Sequence, residues 1–218
     1  MFAKRLIQPE LLDQAPPEEA KRNLADLVRI NQKFGGHAAI RYVMSQVATQ
    51  NDKFTLLDIG AASGDTAQLI KGVYANARVV NLDYSSANIQ DAAPPRVVAD
   101  AFRLPFRGES FDFVFCSLFL HHFQDDQVIE LLRRFYDSTR RGLLVCDLER
   151  HILPYCFLPV TKFLLGWERI TLHDGPVSVR AGFRPAELAA LADRAGIERA
   201  RVSVHRPAFR LSLIAMKR

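Results

Sequence analysis

The chain has 218 residues, 49% of them hydrophobic, which is ample for one continuous core and too few for two full domains. A net charge of +5 and a pI near 9.3 permit contact with nucleic acid or an anionic surface without establishing it, because the basic residues are scattered, with short pairs such as Arg133-Arg134 and Arg140-Arg141 and no long basic run. No window reaches the ~18 apolar residues of a spanning helix, Met1 to Arg5 opens no signal segment, and Cys116, Cys146 and Cys156 are too far apart for metal-like pairing; the expectation is a cytoplasmic protein without stable membrane insertion, disulfide framework or metal site.

Residues 1–15 carry little signal. A helix is predicted from Pro16-Pro17-Glu18-Glu19, where proline and acids suit a first turn, with Leu24, Leu27, Val28 and Phe34 at helical spacing and Gly35-Gly36 as its end. Asn31 falls on that apolar stripe, so its amide must meet either a ligand or a neighbouring loop. A second helix follows, with Ile40, Val43, Met44 and Val47 on one face. Strands and helices then alternate. Strands are expected at 54–59, 77–82, 96–99, 111–117 and 142–146, and helices from about Asp65, at 86–90 and from Asp125. Such alternation over about a hundred residues implies a parallel sheet covered on both faces, with ligands beyond the carboxyl ends of its strands. Residues 152–165 are apolar but contain Pro154, Pro159 and Lys162; they are too short to span a bilayer and suit a flap or an interfacial helix. His173 to Arg180 reads as a polar loop with its own turn signal, Pro185 to Ala195 as a helix, and 199–204 with 209–216 as a terminal antiparallel hairpin.

The most informative stretch is Leu56 to Asp65, a buried strand ending in an acid and a small-residue turn. Gly60 and Gly64 let the backbone turn and a ligand approach, while the helix start offers free N–H groups. A dinucleotide fingerprint needs glycines at 60, 62 and 65, where this chain has Ala62 and Asp65, and no phosphate-loop Lys-Ser/Thr follows, so nicotinamide and ATP are disfavoured. Asp83, nineteen residues after Gly64, can accept two hydrogen bonds from a ribose diol, the alternative being a helix cap that Ser85 or Ser86 could supply instead. Asp100 ends the third strand beside Ala101, where a carboxylate next to a free N–H suits the amino edge of adenine. Three acids at three consecutive strand ends, Asp58, Asp83 and Asp100, form a pattern rather than three separate caps.

Residues 54–148 resemble the class I S-adenosylmethionine-dependent methyltransferases, most closely the small-molecule UbiE-like group (types 11 and 25). The resemblance rests on Leu57-Asp58-Ile59-Gly60-Ala61-Ala62-Ser63-Gly64, on Asn81-Leu82-Asp83, on Ala99 to Phe106, and on Ser110 to Val114 running into Ser117-Leu118-Phe119-Leu120-His121-His122. Ala62 departs from the family's usual middle glycine. The resemblance implies an α/β, Rossmann-like, seven-stranded and mostly parallel sheet with an antiparallel terminal hairpin. Its expected division is a helical cap at 1–50, a cofactor core at 51–150, an acceptor insertion at 151–182, and a terminal helix and hairpin at 183–218, all in one domain. It further implies S-adenosylmethionine as cofactor: Gly60 to Gly64 facing the methionine portion, Asp83 the ribose, Tyr84 an adenine face, Asp100 and Ala101 the adenine edge, with Ser117 and Leu118 near the sulfonium.

Methyl transfer needs alignment first and a base only if the acceptor must lose a proton. Candidate bases are His121, His122 and His173; Asn31, Trp167 and Arg180 are candidate acceptor contacts. Phe119, Phe123, Tyr155, Phe157, Phe163 and Trp167 suggest a small, hydrophobic or aromatic hydroxylated acceptor, although the same residues could be core. Two other readings are a nucleic-acid methyltransferase, disfavoured by Ser117-Leu118-Phe119-Leu120 where base-methylating relatives often carry Asn/Asp-Pro-Pro-aromatic, and a non-catalytic binding protein retaining the fold. The expected partners are a small-molecule acceptor and, at most, a second copy in a homodimer.

Overall fold

A computed structural model describes residues 2–217. Its central sheet has seven strands among the described residues: β1 Phe54–Ile59, β2 Ala77–Asp83, β3 Arg96–Val98, β4 Phe111–Ser117, β5 Thr139–Leu148, β6 Arg201–His205 and β7 Arg210–Met216, in the order β3-β2-β1-β4-β5-β7-β6. Every pairing is parallel except β5 with β7 and β6 with β7. The helices are α1 Pro17–Lys33, α2 Gly36–Ser45, α3 Asp65–Val73, α4 Ser86–Ile89, α5 Asp125–Asp137, α6 Ile152–Leu165, α7 Arg169–Ala181 and α8 Pro185–Arg194.

The continuous apolar strands are explained by burial on both faces. Successive side chains point to opposite sides of a strand, so Leu56 and Leu57, both fully buried, enter different cores. Leu57, Val114 and Val145 pack under α5 and α8 through Leu131, Phe135, Leu188 and Leu191. Leu56, Phe113 and Leu144 pack under α2 and α3 through Ile40, Val43, Met44 and Ile70. The strand order reverses between β1 and β4, which leaves a crevice at their carboxyl ends.

Two segments depart from the sequence expectation. Residues 173–180, expected to be a polar loop, lie inside α7. Gly175-Pro176 is not a turn there: a Cβ on Gly175 would collide with Leu158 Cδ1, so the glycine lets α6 lie close against α7, and Pro176 is accommodated within the helix. The weakly patterned first residues form a strap held down by specific bonds. Arg5 donates to the Ala181 and Phe123 carbonyls at 2.8 and 2.9 Å and to Asp125 at 2.6 Å, and Asp174 accepts from the Leu11 and Leu12 amides at 2.9 and 3.0 Å. Strand β5 also begins three residues before the expected Gly142, at Thr139, with a register shift between Phe111 and Phe113 on its partner.

Candidate active site

The turn after β1 is built on left-handed backbone. Gly60, Ala62 and Gly64 have φ of 70°, 43° and 77°. At Gly60 a Cβ would come within 2.5 Å of the Phe119 ring, and at Gly64 within 2.9 Å of Ala92 Cβ, so both positions exclude larger residues by space as well as by conformation. The turn is fixed by Gly60 and Ala61 amides donating to the Leu82 carbonyl at 2.9 and 3.0 Å. Asp83 secures it from β2. One carboxylate oxygen accepts from the Ala62 amide and the other from the Ser85 amide, each at 2.9 Å, while the Ser85 hydroxyl, not Asp83, caps α4. Asp100 accepts from the Phe102 amide at 2.8 Å, Ala101 is buried, and Tyr84 stands 80% exposed at the rim.

Along these strand ends runs a continuous cavity of about 1500 Å³. It exceeds the usual ~300–1,000 Å³ of a single-ligand pocket and so has room for two molecules. Gly60, Ala62, Asp83, Tyr84, Asp100, Ala101, Ser117 and Leu118 all line it, as does Asn31. Gly64 and Asp58 lie just outside the lining. Asp58 is 1% exposed, and its Oδ2 has no hydrogen-bond partner among the described residues. Burial first, then the charges of Asp83 and Asp65, push this carboxyl well above its ordinary range. A buried, unpartnered carboxyl beside a glycine turn fits a cationic ligand, and S-adenosylmethionine carries cationic centres at its amino group and sulfur.

Beyond β4 the cavity is bounded by a polar cluster. Asp147, fully buried at the end of β5, accepts from the Phe119, Leu120 and Leu148 amides at 3.2, 2.8 and 2.7 Å and holds His121 Nδ1 at 2.7 Å. Burial alone would lower the His121 pKa, but the charge and hydrogen bond of Asp147 outweigh it, so it is raised; the same pairing holds Asp147 below its ordinary range against the effect of burial. Glu10 from the strap faces this pair, its Oε1 3.9 Å from both His121 Nε2 and His122 Nδ1, and accepts from the Ser178 hydroxyl. Burial raises the Glu10 pKa. His122 is pushed down to about 3, by its surroundings and then by neighbouring His121, though its side chain remains 35% exposed.

The other expected acceptor residues are dispersed. On α7 the cavity-facing stripe is Thr171, Asp174, Gly175, Ser178 and Val179, a helical spacing that leaves out His173 and Arg180. His173 is 49% exposed and pairs with Asp174 at 2.8 Å, and the Arg180 Nε is buried without a partner among the described residues. Trp167 is buried outside the lining, donating to Thr161 Oγ1 at 2.9 Å with Arg29 stacked on its ring. Of the six aromatic side chains expected near the acceptor, Phe119, Phe123 and Phe157 line the cavity, Tyr155 packs on Phe2, and Phe163 is 91% exposed. Asn31 lines the cavity and accepts from Arg210 Nη2, on β7 rather than on a loop, at 3.2 Å.

Sequence reasoning passed over Glu10, Asp147, Ser178 and Arg210. Asp147 closes an apolar strand as Asp58 and Asp83 do, which was an available signal; Glu10 and Arg210 had none, because they reach the site only through tertiary packing. Arg210, buried at the start of β7, lines the cavity with no carboxylate partner among the described residues.

An open sheet reversing between β1 and β4, a glycine turn clamped by the acid of β2, and a cavity over the strand ends define the class I S-adenosylmethionine-dependent methyltransferase fold. Residues 57–146 match the family model of the methyltransferase domain, and that stretch is a methyltransferase domain of the kind that uses S-adenosylmethionine. No curated protein matches. Among solved structures, human N-acetylserotonin methyltransferase in complex with S-adenosylmethionine aligns at 17% identity and TM-score 0.65, over 97% of this chain and 60% of the human one. A methyltransferase from Aquifex aeolicus aligns at 14% identity and TM-score 0.62, over 93% and 98% of the two chains. Magnesium protoporphyrin IX methyltransferase from Synechocystis, with bound S-adenosylhomocysteine, aligns at 16% and 0.60, over 93% and 100%. This chain spans 66% of a Bordetella parapertussis protein at 17% identity and TM-score 0.63, so some of the matched structures are considerably longer.

Proposed function

We propose that the protein methylates a small, hydrophobic or aromatic acceptor at a hydroxyl oxygen. The observation that carries this reading is the continuity of the cavity from the Gly60 turn, past His121, His122 and Glu10, to an apolar end lined by Leu27, Phe34, Phe157 and Leu158. When bound, S-adenosylmethionine supplies an activated methyl group. The chain supplies alignment, with Phe119 and Phe123 among the apolar side chains of the lining, and alignment of this kind contributes ~7 kcal/mol or more. Gly60 to Ala62, Asp83, Tyr84, Asp100 and Ala101 would hold the cofactor, and Ser117 and Leu118 would border the transfer site.

Among the titratable groups, Glu10 is the best-tuned base. Its raised pKa makes it a stronger proton acceptor than an ordinary carboxylate, whereas His122, pushed down, accepts protons poorly. His121, protonated against Asp147, acts as a positioning residue and stabilises the Glu10 carboxylate across the 3.9 Å gap. A small acceptor is favoured over nucleic acid because the strap, α1, α6 and α7 all contribute to the lining and bring mostly apolar side chains, among them Leu12, Leu27, Phe34, Phe157 and Val179.

Incubation with methyl-labelled cofactor and either phenolic metabolites or total RNA tests the substrate class: label in phenols is expected, and label in RNA would overturn the proposal. With a labelled phenol in hand, Glu10→Gln should lower kcat about 10²–10⁴-fold while leaving S-adenosylhomocysteine affinity unchanged. An undiminished kcat removes Glu10 from the mechanism.

A further inference from the structure

Helix α6 is apolar apart from Thr161 and Lys162, yet it is not enclosed. A helix of that composition is normally buried or lies in lipid. Its one buried residue is Leu158, while Ile152 and Leu153 are 47% and 60% exposed, Val160 75%, Phe163 91% and Leu164 83%. These five are close to half of the exposed large hydrophobic residues of the described chain and share one fourteen-residue helix. Single exposed apolar residues are ordinary; a contiguous set this dense marks a surface that meets something apolar.

The charge around the helix selects the partner. From Arg150 to Trp167 the chain contains no acid and two permanent cations, Arg150 and Lys162, in a protein of net charge +5. Arg150 is buried against Glu187, so Lys162 is the cation the helix presents, its Nζ 4.6 Å from the Phe163 ring. An apolar ridge with a cation at its edge and no acid fits the interfacial zone of an anionic bilayer. A second copy of the chain is less well suited, since five side chains on one helix fall far short of the ~20–30 residues each partner gives to a stable interface.

We infer that α6 is a membrane-docking helix that seats the protein on an anionic phospholipid surface without crossing it. Its length accords with this: no described helix is long and apolar enough to span. The same helix lines the cavity through Pro154, Phe157 and Leu158, with Leu153 at the border of the two faces, so its outer residues would rest in lipid while its inner ones wall the chamber. Passage of a lipophilic acceptor from the bilayer into that chamber rests on the function proposed above; the docking itself does not.

The test is co-sedimentation of the full chain with phosphatidylcholine vesicles, with and without phosphatidylglycerol. Binding is expected to vesicles containing phosphatidylglycerol, weaker to phosphatidylcholine alone, and reduced by salt. Phe163→Ser with Leu164→Ser should lower the partition coefficient about tenfold or more, and Lys162→Glu should remove the preference for anionic lipid. Because Phe163 and Leu164 are exposed, an unchanged melting temperature will confirm that the double variant folds. Failure of the wild type to bind either vesicle overturns the inference, as does equal binding by the double variant. A wild-type dimer that becomes monomeric in the double variant, with no vesicle binding, overturns it in favour of a second copy on the same face.

Discussion

Ala62 occupies the strained centre of the cofactor turn. A non-glycine residue at φ 43° meets its own Cβ against the following carbonyl, a cost of about 1–2 kcal/mol, and here the Asp83 carboxylate holds it in place through the Ala62 amide. Glycine would relieve that strain but add freedom to the unfolded chain. Ala62→Gly is therefore expected to stabilise the protein by about 0.5–1 kcal/mol in urea denaturation, with tighter or equal S-adenosylhomocysteine binding; a loss of stability would show that the alanine makes packing contacts worth more than the strain. Asp58 illustrates the opposite situation. Its buried, unpartnered oxygen is unfavourable as the protein stands, and burial pushes its carboxyl toward the neutral form.

Helix α7 and the N-terminal strap act together. Asp174 on α7 caps the Leu11 and Leu12 amides, Ser178 one turn later holds Glu10, and the Leu6 amide donates to the Arg180 carbonyl at 3.1 Å, so the strap is registered along the helix. Their position in turn depends on how closely α6 approaches α7 at Gly175. Gly175→Ala should cost about 1–3 kcal/mol, measured by denaturant midpoint, because the new methyl meets Leu158. Adding Leu158→Ala should make the double variant less destabilised than the sum of the two single variants; strict additivity would mean that the two helices do not meet at that point in solution.

Across the whole molecule, the buried His121–Asp147 pair links the loop after β4 to the end of β5 and makes stability depend on pH. The His121 pKa is raised by folding, so its contribution is complete below its ordinary value of 6.5 and is lost as pH rises through the higher folded value. Asp147 is lowered, so its contribution is complete above its ordinary 3.8 and is lost as pH falls through the lower folded value. Asp147→Asn should therefore lower the melting temperature most between those two ordinary values, and the gap to wild type should narrow as pH rises past 6.5. At this size each kcal/mol corresponds to about 2–4 °C. Melting curves that stay a constant distance apart from pH 6 to 9 would show that His121 carries no charge in the folded state.

The sheet and the turn after its first strand were legible in the residues because local chemistry encodes them. Apolar runs of strand length, helical stripes between them, and acids closing Leu57-Asp58, Leu82-Asp83 and Ala99-Asp100 depend on neighbours close in sequence, and they indicated a mostly parallel sheet and the position of the glycine turn. The acceptor end was not legible for the same reason. Glu10, Ser178 and Arg210 come from three distant segments, and each is an unremarked polar residue until the strap is laid on α7 and β7 is paired with β5. Gly175-Pro176 has the local signature of a turn, and only the approach of Leu158 reveals a helix-packing glycine. Backbone propensity and periodicity are local quantities and fixed the scaffold; contact between distant polar side chains is a property of the completed packing, which alone brought Glu10, His121 and Ser178 together beside the cavity.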